Sequence, residues 1–372
     1  MKILILNWRD TKHPLAGGAE QSLFEHAKYW QKQHNEIIWF SSAFVNAPKQ
    51  EVLEGITILR KGSHYTVHLW AFWYYITRKF PQADIVIDSF HFVPFFSVLY
   101  MRKKERIIGL LNEVAGRLWF FNISAPLART GYFIEPFIIR FYKRNVFITG
   151  SDSAKKDLVT IGLSPNNIYV VNHGFHLHAV DASIKKESRP TVLFLGRIAK
   201  DKGIVDALEA FTEVRKEIPN VVLWVVGQEE REGIFTELLQ TLDKETQEHI
   251  RYWGFVNQKQ KFKLLRKAWL LVHPSYREGW GLTVIEAASQ STPTVGYNVA
   301  GLQDSVQNGK TGFLVEPQNI AMLQDAIRDI LNDKEYYKRV STNALKWSKN
   351  FTWERSVKKS WKVIKEDYEK NK

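Results

Sequence analysis

LLVHPSYREGWGLTVIEAASQSTPTVG, residues 270–296, reads as strand, glycine turn, helix and strand in one run. The apolar LLVHP ends at Pro274, and REGWG turns around Gly279 and Gly281. LTVIEAAS then has the composition of a helix, and TPTVG opens a second strand. A strand returned to its own sheet through a helix is the unit of a parallel sheet. Glu278 and Glu286 stand in the turn and a little over one turn into the helix, where both can face one pocket. Carboxylates so placed accept hydrogen bonds from sugar hydroxyls, while the amides beside the glycines can approach a phosphate. Glutamates at helical spacing are also common on surfaces. Glu278 reads equally as a helix cap, and Glu286 as the ion-pair partner of a nearby Lys or Arg.

The alternation runs outward from this stretch. TVLFLG (191–196), VVLWVVG (221–227) and IRYWGFV (250–256) are β-rich runs separated by amphipathic spacers. Upstream of the charged, Ser- and Pro-containing DASIKKESRP (181–190), an earlier series comprises ILIL (3–6), IIWF (37–40), DIVID (84–88), RIIGLL (106–111), VFITG (146–150) and IYVV (168–171). Two such series across a linker predict two doubly wound, Rossmann-like α/β domains, 1–180 and 181–350. The length of 372 residues agrees, because a single core stops growing at roughly 250 to 300 residues. In the tail 351–372, Trp353, Val357, Trp361 and Ile364 share one helical stripe, which predicts a helix packing back on the first domain.

Composition narrows the function classes. With 45% hydrophobic and 24% charged residues and no cysteine, the chain reads as globular, with neither a disulfide framework nor thiolate chemistry. MKILILNWRD reads as a first strand rather than a signal peptide, and apolar runs such as FVPFFSVLYM (92–101) fall short of the ~20 residues that span a bilayer. The expectation is a cytoplasmic protein, at most peripheral on a membrane. The net charge of +13 is uneven: residues 1–186 carry 23 Lys/Arg against 14 Asp/Glu, so the first half is the basic one and favours anionic partners. No helix-turn-helix, RRM or zinc signature supports nucleic acid as that partner. With no D-x-D pair and no Cys/His cluster, no metal site is predicted.

In parallel sheets ligands bind where strands end. After the first strand, HPLAGGAEQS places Gly17 and Gly18 before a helix, a position where backbone can approach an anion or where a loop simply starts a helix. After TVLFLG, GRIAKDKG offers Arg197 as a fork and Lys202 as a point charge, suited to a diphosphate if they are not solvated surface cations.

FLGRIAKDKG through HPSYREGWGLTVIEAASQSTPTVGYNVAGLQDSVQNGKTGFLVEP, together with GGAE, ITGSDSAKKDL, VVNHGF and the closing FTWERSVKKSW, resembles the retaining glycosyltransferases of family 4. The resemblance implies the GT-B architecture, two Rossmann-like domains facing a central cleft, with a nucleotide-diphosphate sugar as donor substrate and no cofactor. It further implies that Glu286 binds the ribose hydroxyls and Glu278 the donor sugar. Arg197 and Lys202 would clamp the diphosphate, helped by amides around Trp280, Gly281 and Leu282, with Gly17 and Gly18 near the phosphate. Catalysis would then rest on Arg197, Lys202 and Glu278.

The sequence departs from that family where relatives carry a histidine after the strand RIIGLL. Here stand Asn112, which cannot titrate, and Glu113. His91, in DSFHFVPFF, is the remaining acceptor-side candidate, or else a core histidine. The acceptor is expected to be a saccharide or a lipid-linked molecule. Aromatics interleave with Lys/Arg in 64–80, 98–106 and 116–144, a pattern that suits an anionic membrane surface as well as a core with solvated basic ends. The alternatives are a nucleotide-sugar-binding protein without turnover and a sugar-nucleotide epimerase of the same architecture.

Overall fold

The computed structural model describes residues 1–122, 124–175 and 183–370. The first two residues of the 181–190 linker and the last two of the tail lie outside the described residues. The chain forms two compact units, Met1–Gly174 with Thr352–Lys372, and Phe175–Phe351.

Unit 1 is built on a sheet of eight strands: β1 (Lys2–Leu6), β2 (Glu36–Ser41), β3 (Gln50–Leu53), β4 (Ile56–Arg60), β5 (Ile85–Ser89), β6 (Arg106–Leu110), β7 (Val146–Thr149) and β8 (Ile168–Val170). Their order is β3-β4-β2-β1-β5-β6-β7-β8, parallel except for the β3–β4 hairpin. Helices cover both faces, so the central strands are buried on both sides and read as continuous apolar runs. In β1, Ile3 and Ile5 join one core with Trp30 of helix α1 (Gly18–Lys32) and with Val363 and Ile364. Leu4 and Leu6 point the other way, into a core shared with Val67 and Ala71 of α2 (Val67–Ile76) and Ile139 of α3 (Ala125–Arg140).

The C-terminal helix, Trp353–Glu369, packs on α1. Thr352 caps its start by accepting from the Arg355 amide, and Arg106 pairs with Asp367 at 3.0 Å near its end. Of the predicted stripe, Val357 and Ile364 are buried, Trp361 packs against the core, and Trp353 meets the ring of His26 edge-on. The β3–β4 hairpin is not apparent in the sequence, because QEVL alternates between exposed and half-buried positions at the sheet edge and lacks an apolar run.

Unit 2 carries six parallel strands, β9 (Thr191–Leu195), β10 (Val222–Val226), β11 (Ile250–Gly254), β12 (Leu270–His273), β13 (Thr294–Tyr297) and β14 (Gly312–Val315), in the order β11-β10-β9-β12-β13-β14. Helices α4 (Ile204–Glu217), α5 (Gln258–Lys267) and α6 (Leu282–Ser289) belong to it. The loop from β9 into α4 is pressed against the end of β12. Gly203 has φ +70°, and a Cβ there would stand 2.0 Å from the Pro274 carbonyl oxygen. Gly203→Ala is therefore expected to destabilise by about 2 kcal/mol or more, combining a left-handed backbone with a clash that only main-chain movement relieves. Urea unfolding at neutral pH checks this, and an unchanged midpoint would contradict it.

Candidate active site

The strand order of unit 2 reverses direction between β9 and β12. From β9 the chain winds outward to β10 and β11, whereas β12 continues to β13 and β14 on the other side. Loops leaving the carboxyl ends of β9 and β12 diverge at such a point and open a crevice. Lys202 arrives there from β9 and Glu278 from β12. Lys202 Nζ donates to Glu278 Oε1 at 2.7 Å, Ser275 Oγ donates to the same oxygen at 2.7 Å, and His273 Nε2 lies 3.2 Å from it. Burial alone would raise the Glu278 pKa, but the Lys202 charge and the contact with His273 outweigh it and hold the carboxyl well below its usual range. Glu278 is thus an anion fixed by three partners.

Arg197 leaves the end of β9 and is 41% exposed. Its Nη2 holds both Asp201 oxygens at 3.0 and 2.8 Å, and its Nη1 meets Glu230 at 2.5 Å. Glu286 is buried in α6, with Oε1 accepting from Lys261 Nζ of α5 at 2.6 Å. Gly281 precedes α6 at φ +87°, and a Cβ there would come 2.8 Å from Ser305 Oγ and 3.0 Å from Leu302, so the turn requires glycine. Leu282 is the first residue of α6. Trp280 is buried against Phe351 at 5.0 Å between ring centres, anchoring the turn from beneath.

Unit 1 has its own reversal, between β1 and β5. Gly17 caps α1 and donates its N–H to Glu20 Oε2 at 2.8 Å, while Gly18 begins the helix. The other Glu20 oxygen accepts from Arg9 at 2.9–3.0 Å and lies 3.4 Å from His91 Nε2. One fully buried carboxylate therefore joins the glycine loop, Arg9 and His91. Burial lowers the His91 pKa to about 4 against the opposing pull of Glu20, so the imidazole is neutral at pH 7. Asn112 instead lines a cavity of about 20 Å³ beneath α1, room for about one water, together with Ser22, His26, Thr149 and His173. His91 does not line that cavity. Glu113 follows Asn112 beyond β6 and is half-buried.

Comparison with known proteins decides the family. The family profile "Glycosyltransferase Family 4" matches residues 16–179 and "Glycosyl transferases group 1" matches 179–347, adjoining across the chain. The chain belongs to the group 1 glycosyltransferases. This glycosyltransferase is 26% identical over 274 residues to a glycogen synthase of Mycobacterium tuberculosis, covering 73% of this chain and 62% of that one. It is 28% identical over 232 residues to the capsular polysaccharide biosynthesis glycosyltransferase CapM of Staphylococcus aureus, covering 55% and 58%. The alignments span about three-fifths of these relatives' own lengths. Among solved structures, sucrose-phosphate synthase from Thermosynechococcus elongatus superposes with a TM-score of 0.78 at 17% identity over 99% of both chains. The fold is GT-B.

Within this glycosyltransferase the structure joins Lys202 directly to Glu278 and leaves Arg197 and Glu286 in ion pairs of their own. The sequence reading missed His273, Ser275, Lys261, Asp201 and Glu230 in unit 2, and Arg9 and Glu20 in unit 1. His273 and Ser275 lie inside the stretch quoted first, and Asp201 stands four residues from Arg197 in the same loop. Lys261 and Glu230 come from other segments and carry no local signal.

Proposed function

We propose that this glycosyltransferase moves a sugar from a nucleoside-diphosphate donor to a hydroxyl acceptor with retention of configuration, in the synthesis of a cell-surface glycan or glycolipid. The Lys202–Glu278 pair at the β9/β12 reversal carries this reading. It sets a fixed cation and a fixed anion side by side where a diphosphate sugar presents its charge and its hydroxyls. Lys202 and Arg197 bind the diphosphate, with the diphosphate displacing Asp201 and Glu230 from the guanidinium. Glu278 accepts from the sugar hydroxyls and Glu286 from the ribose, and the amides of Gly281 and Leu282 add donors to the phosphate. In the reaction the C1–O bond to the diphosphate breaks and the C1–O bond to the acceptor forms on the same face. The acceptor proton passes to the departing phosphate oxygen. The leaving group gains negative charge, so preorganised cations lower the barrier, and a protein base is not required. Positive charge from two side chains also makes the reaction independent of a divalent metal. His91, neutral and oriented by Glu20, faces the acceptor, which is a saccharide or a lipid-linked molecule met at a membrane surface.

Incubation with labelled UDP-, GDP- and ADP-sugars, with and without EDTA, tests this reading. Transfer or slow donor hydrolysis that survives chelation is expected, with the product anomer matching the donor by NMR. Tight nucleotide binding with neither reaction would make the protein a non-catalytic binder, and conversion of the donor sugar itself would make it an epimerase. A thermal-shift screen identifies the base first, since a donor at 100 times its Kd stabilises by about 2.7 kcal/mol.

A further inference from the structure

We propose that unit 1 docks on an anionic bilayer through the outward face of α3, with α2 lying over the same face of the sheet. This deepens the proposed function by naming the surface on which a membrane-held acceptor would be met, and it rests on that reading only for the acceptor's identity.

Helix α3 has two apolar sides. Ala128, Glu135 and Ile139 are buried. At 3.6 residues per turn, Leu127, Phe133, Ile134 and Phe137, with Phe141 just beyond, fall in an arc of about 120° on the opposite side. Their exposures run from 46% to 67%. A helix in a water-soluble surface carries polar groups on that side. Of the twenty-one large apolar side chains exposed among the described residues, fourteen lie between residues 61 and 144. Trp73 and Leu69, on α2, are among them at 50% and 69%. The two helices pack on one core and so lie over the same face of the sheet.

Charge selects the occupant. Ten Lys/Arg between 61 and 144 are exposed, including Arg129, Arg140, Lys143 and Arg144 in or just after α3. None of the five carboxylates in that span is exposed. Glu135, the acid within α3, is turned inward, accepting from the Ala115 and Gly116 amides and from Trp119 Nε1 at 2.7–3.1 Å. Glu105 is buried and accepts from Tyr75, and Asp88 is enclosed by Phe95, Ser97 and Tyr142. A surface of aromatics and cations with its acids withdrawn matches an interfacial layer over anionic headgroups. Protein interfaces also favour aromatics and arginine but are depleted in lysine, which supplies four of these ten cations. Among the described residues no helix is long and apolar enough to cross a membrane, so attachment here is to the surface.

The test is co-sedimentation of the full chain with phosphatidylcholine vesicles, with and without phosphatidylglycerol, at low and high salt. The wild type is expected to bind the anionic vesicles at least tenfold more tightly than the neutral ones, and to weaken with salt. Phe133→Ser with Phe137→Ser should lose at least tenfold at both salt concentrations. Arg129→Glu with Lys143→Glu should lose binding mainly at low salt, and Val45→Ser, exposed elsewhere in unit 1, should change nothing. Absence of wild-type binding to anionic vesicles overturns the proposal, as does binding that the phenylalanine variant retains. A dimer in light scattering that the phenylalanine variant dissolves, without vesicle binding, would assign the face to a second copy instead. Donor hydrolysis in the absence of vesicles is read in parallel. Absence of wild-type vesicle binding with hydrolysis intact sinks the docking alone, and wild-type vesicle binding without turnover sinks the transferase reading alone.

Discussion

Replacing Lys202 by methionine is expected to lower kcat/KM for sugar transfer by about 10²–10³, the effect of deleting one preorganised charge donor from a developing anion and equivalent to about 2.7–4 kcal/mol. The substitution has a second consequence that could be mistaken for the first. Glu278, largely shielded from solvent, would lose its cationic partner and keep only Ser275 and His273. A carboxylate stranded in that way destabilises the fold by up to about 3 kcal/mol. Lys202→Met with Glu278→Gln separates the two effects. The neutral pair removes the stranded charge, so thermal stability should return to near the wild-type value, while transfer remains at least as impaired as in the single variant. Recovery of activity together with stability would show that Lys202 serves the fold through Glu278, and that the diphosphate is held elsewhere. Arg197→Gln should likewise cost some stability as well as turnover, because Glu230 is 44% exposed but Asp201, at 9%, would be left buried without its guanidinium. Arg197→Gln with Asp201→Asn should restore the stability alone.

The residues that decide the architecture are local, and so they were legible. Ile3 to Leu6, Ile85 to Ile87 and Leu270 to Val272 are continuous apolar runs because the strands they form are covered on both faces. The turn at Gly281 was legible for a similar reason, since a left-handed position just before a helix favours glycine. Strand β14, GFLV, was not identified because four residues with one half-buried position do not separate from a loop by pattern alone. Side-chain partners were the least legible part of the site. The choice of Lys261 for Glu286, 25 residues away, depends on where α5 and α6 lie on the sheet, and no spacing in the sequence encodes it. The aromatic–basic pattern of 116–144 left both a core and a membrane face open. The structure separates core from surface residue by residue, burying Ala128 and Ile139 while exposing Phe133 and Phe137.

Acidification is expected to unfold this protein well before pH 4, and His26 should account for about a third of the loss that buried histidines cause. His26 lies between α1 and the C-terminal helix, its Nδ1 2.8 Å from Ser360 Oγ and its Nε2 3.4 Å from Ser356 Oγ. Burial lowers its pKa to about 3, with His173 adding a smaller push in the same direction. His173, against Ser22 at 2.6 Å, is itself lowered by burial to about 4. Both imidazoles are neutral in the folded chain and titrate near 6.5 once unfolded. Above that pH they contribute nothing to the pH dependence. Below it the unfolded chain takes up protons that the folded chain refuses, so each costs about 1.4 kcal/mol per pH unit until its folded pKa is reached. At pH 4.5 the two together remove on the order of 5 kcal/mol, comparable with the whole stability of many domains. Asp10, whose pKa burial would raise but Arg60 holds down, and Glu278 lose their stabilisation in the same direction at still lower pH. Asp88, raised by burial, opposes them by favouring the folded state in acid. His91, lowered by burial to about 4, adds a contribution of the same size as that of His173. His26→Gln keeps a hydrogen-bonding side chain without a titrating one, and should cut the fall in urea midpoint between pH 7 and 4.5 by about a third. A variant whose stability falls with pH as steeply as the wild type's would show that the junction between α1 and the C-terminal helix is not where acid acts.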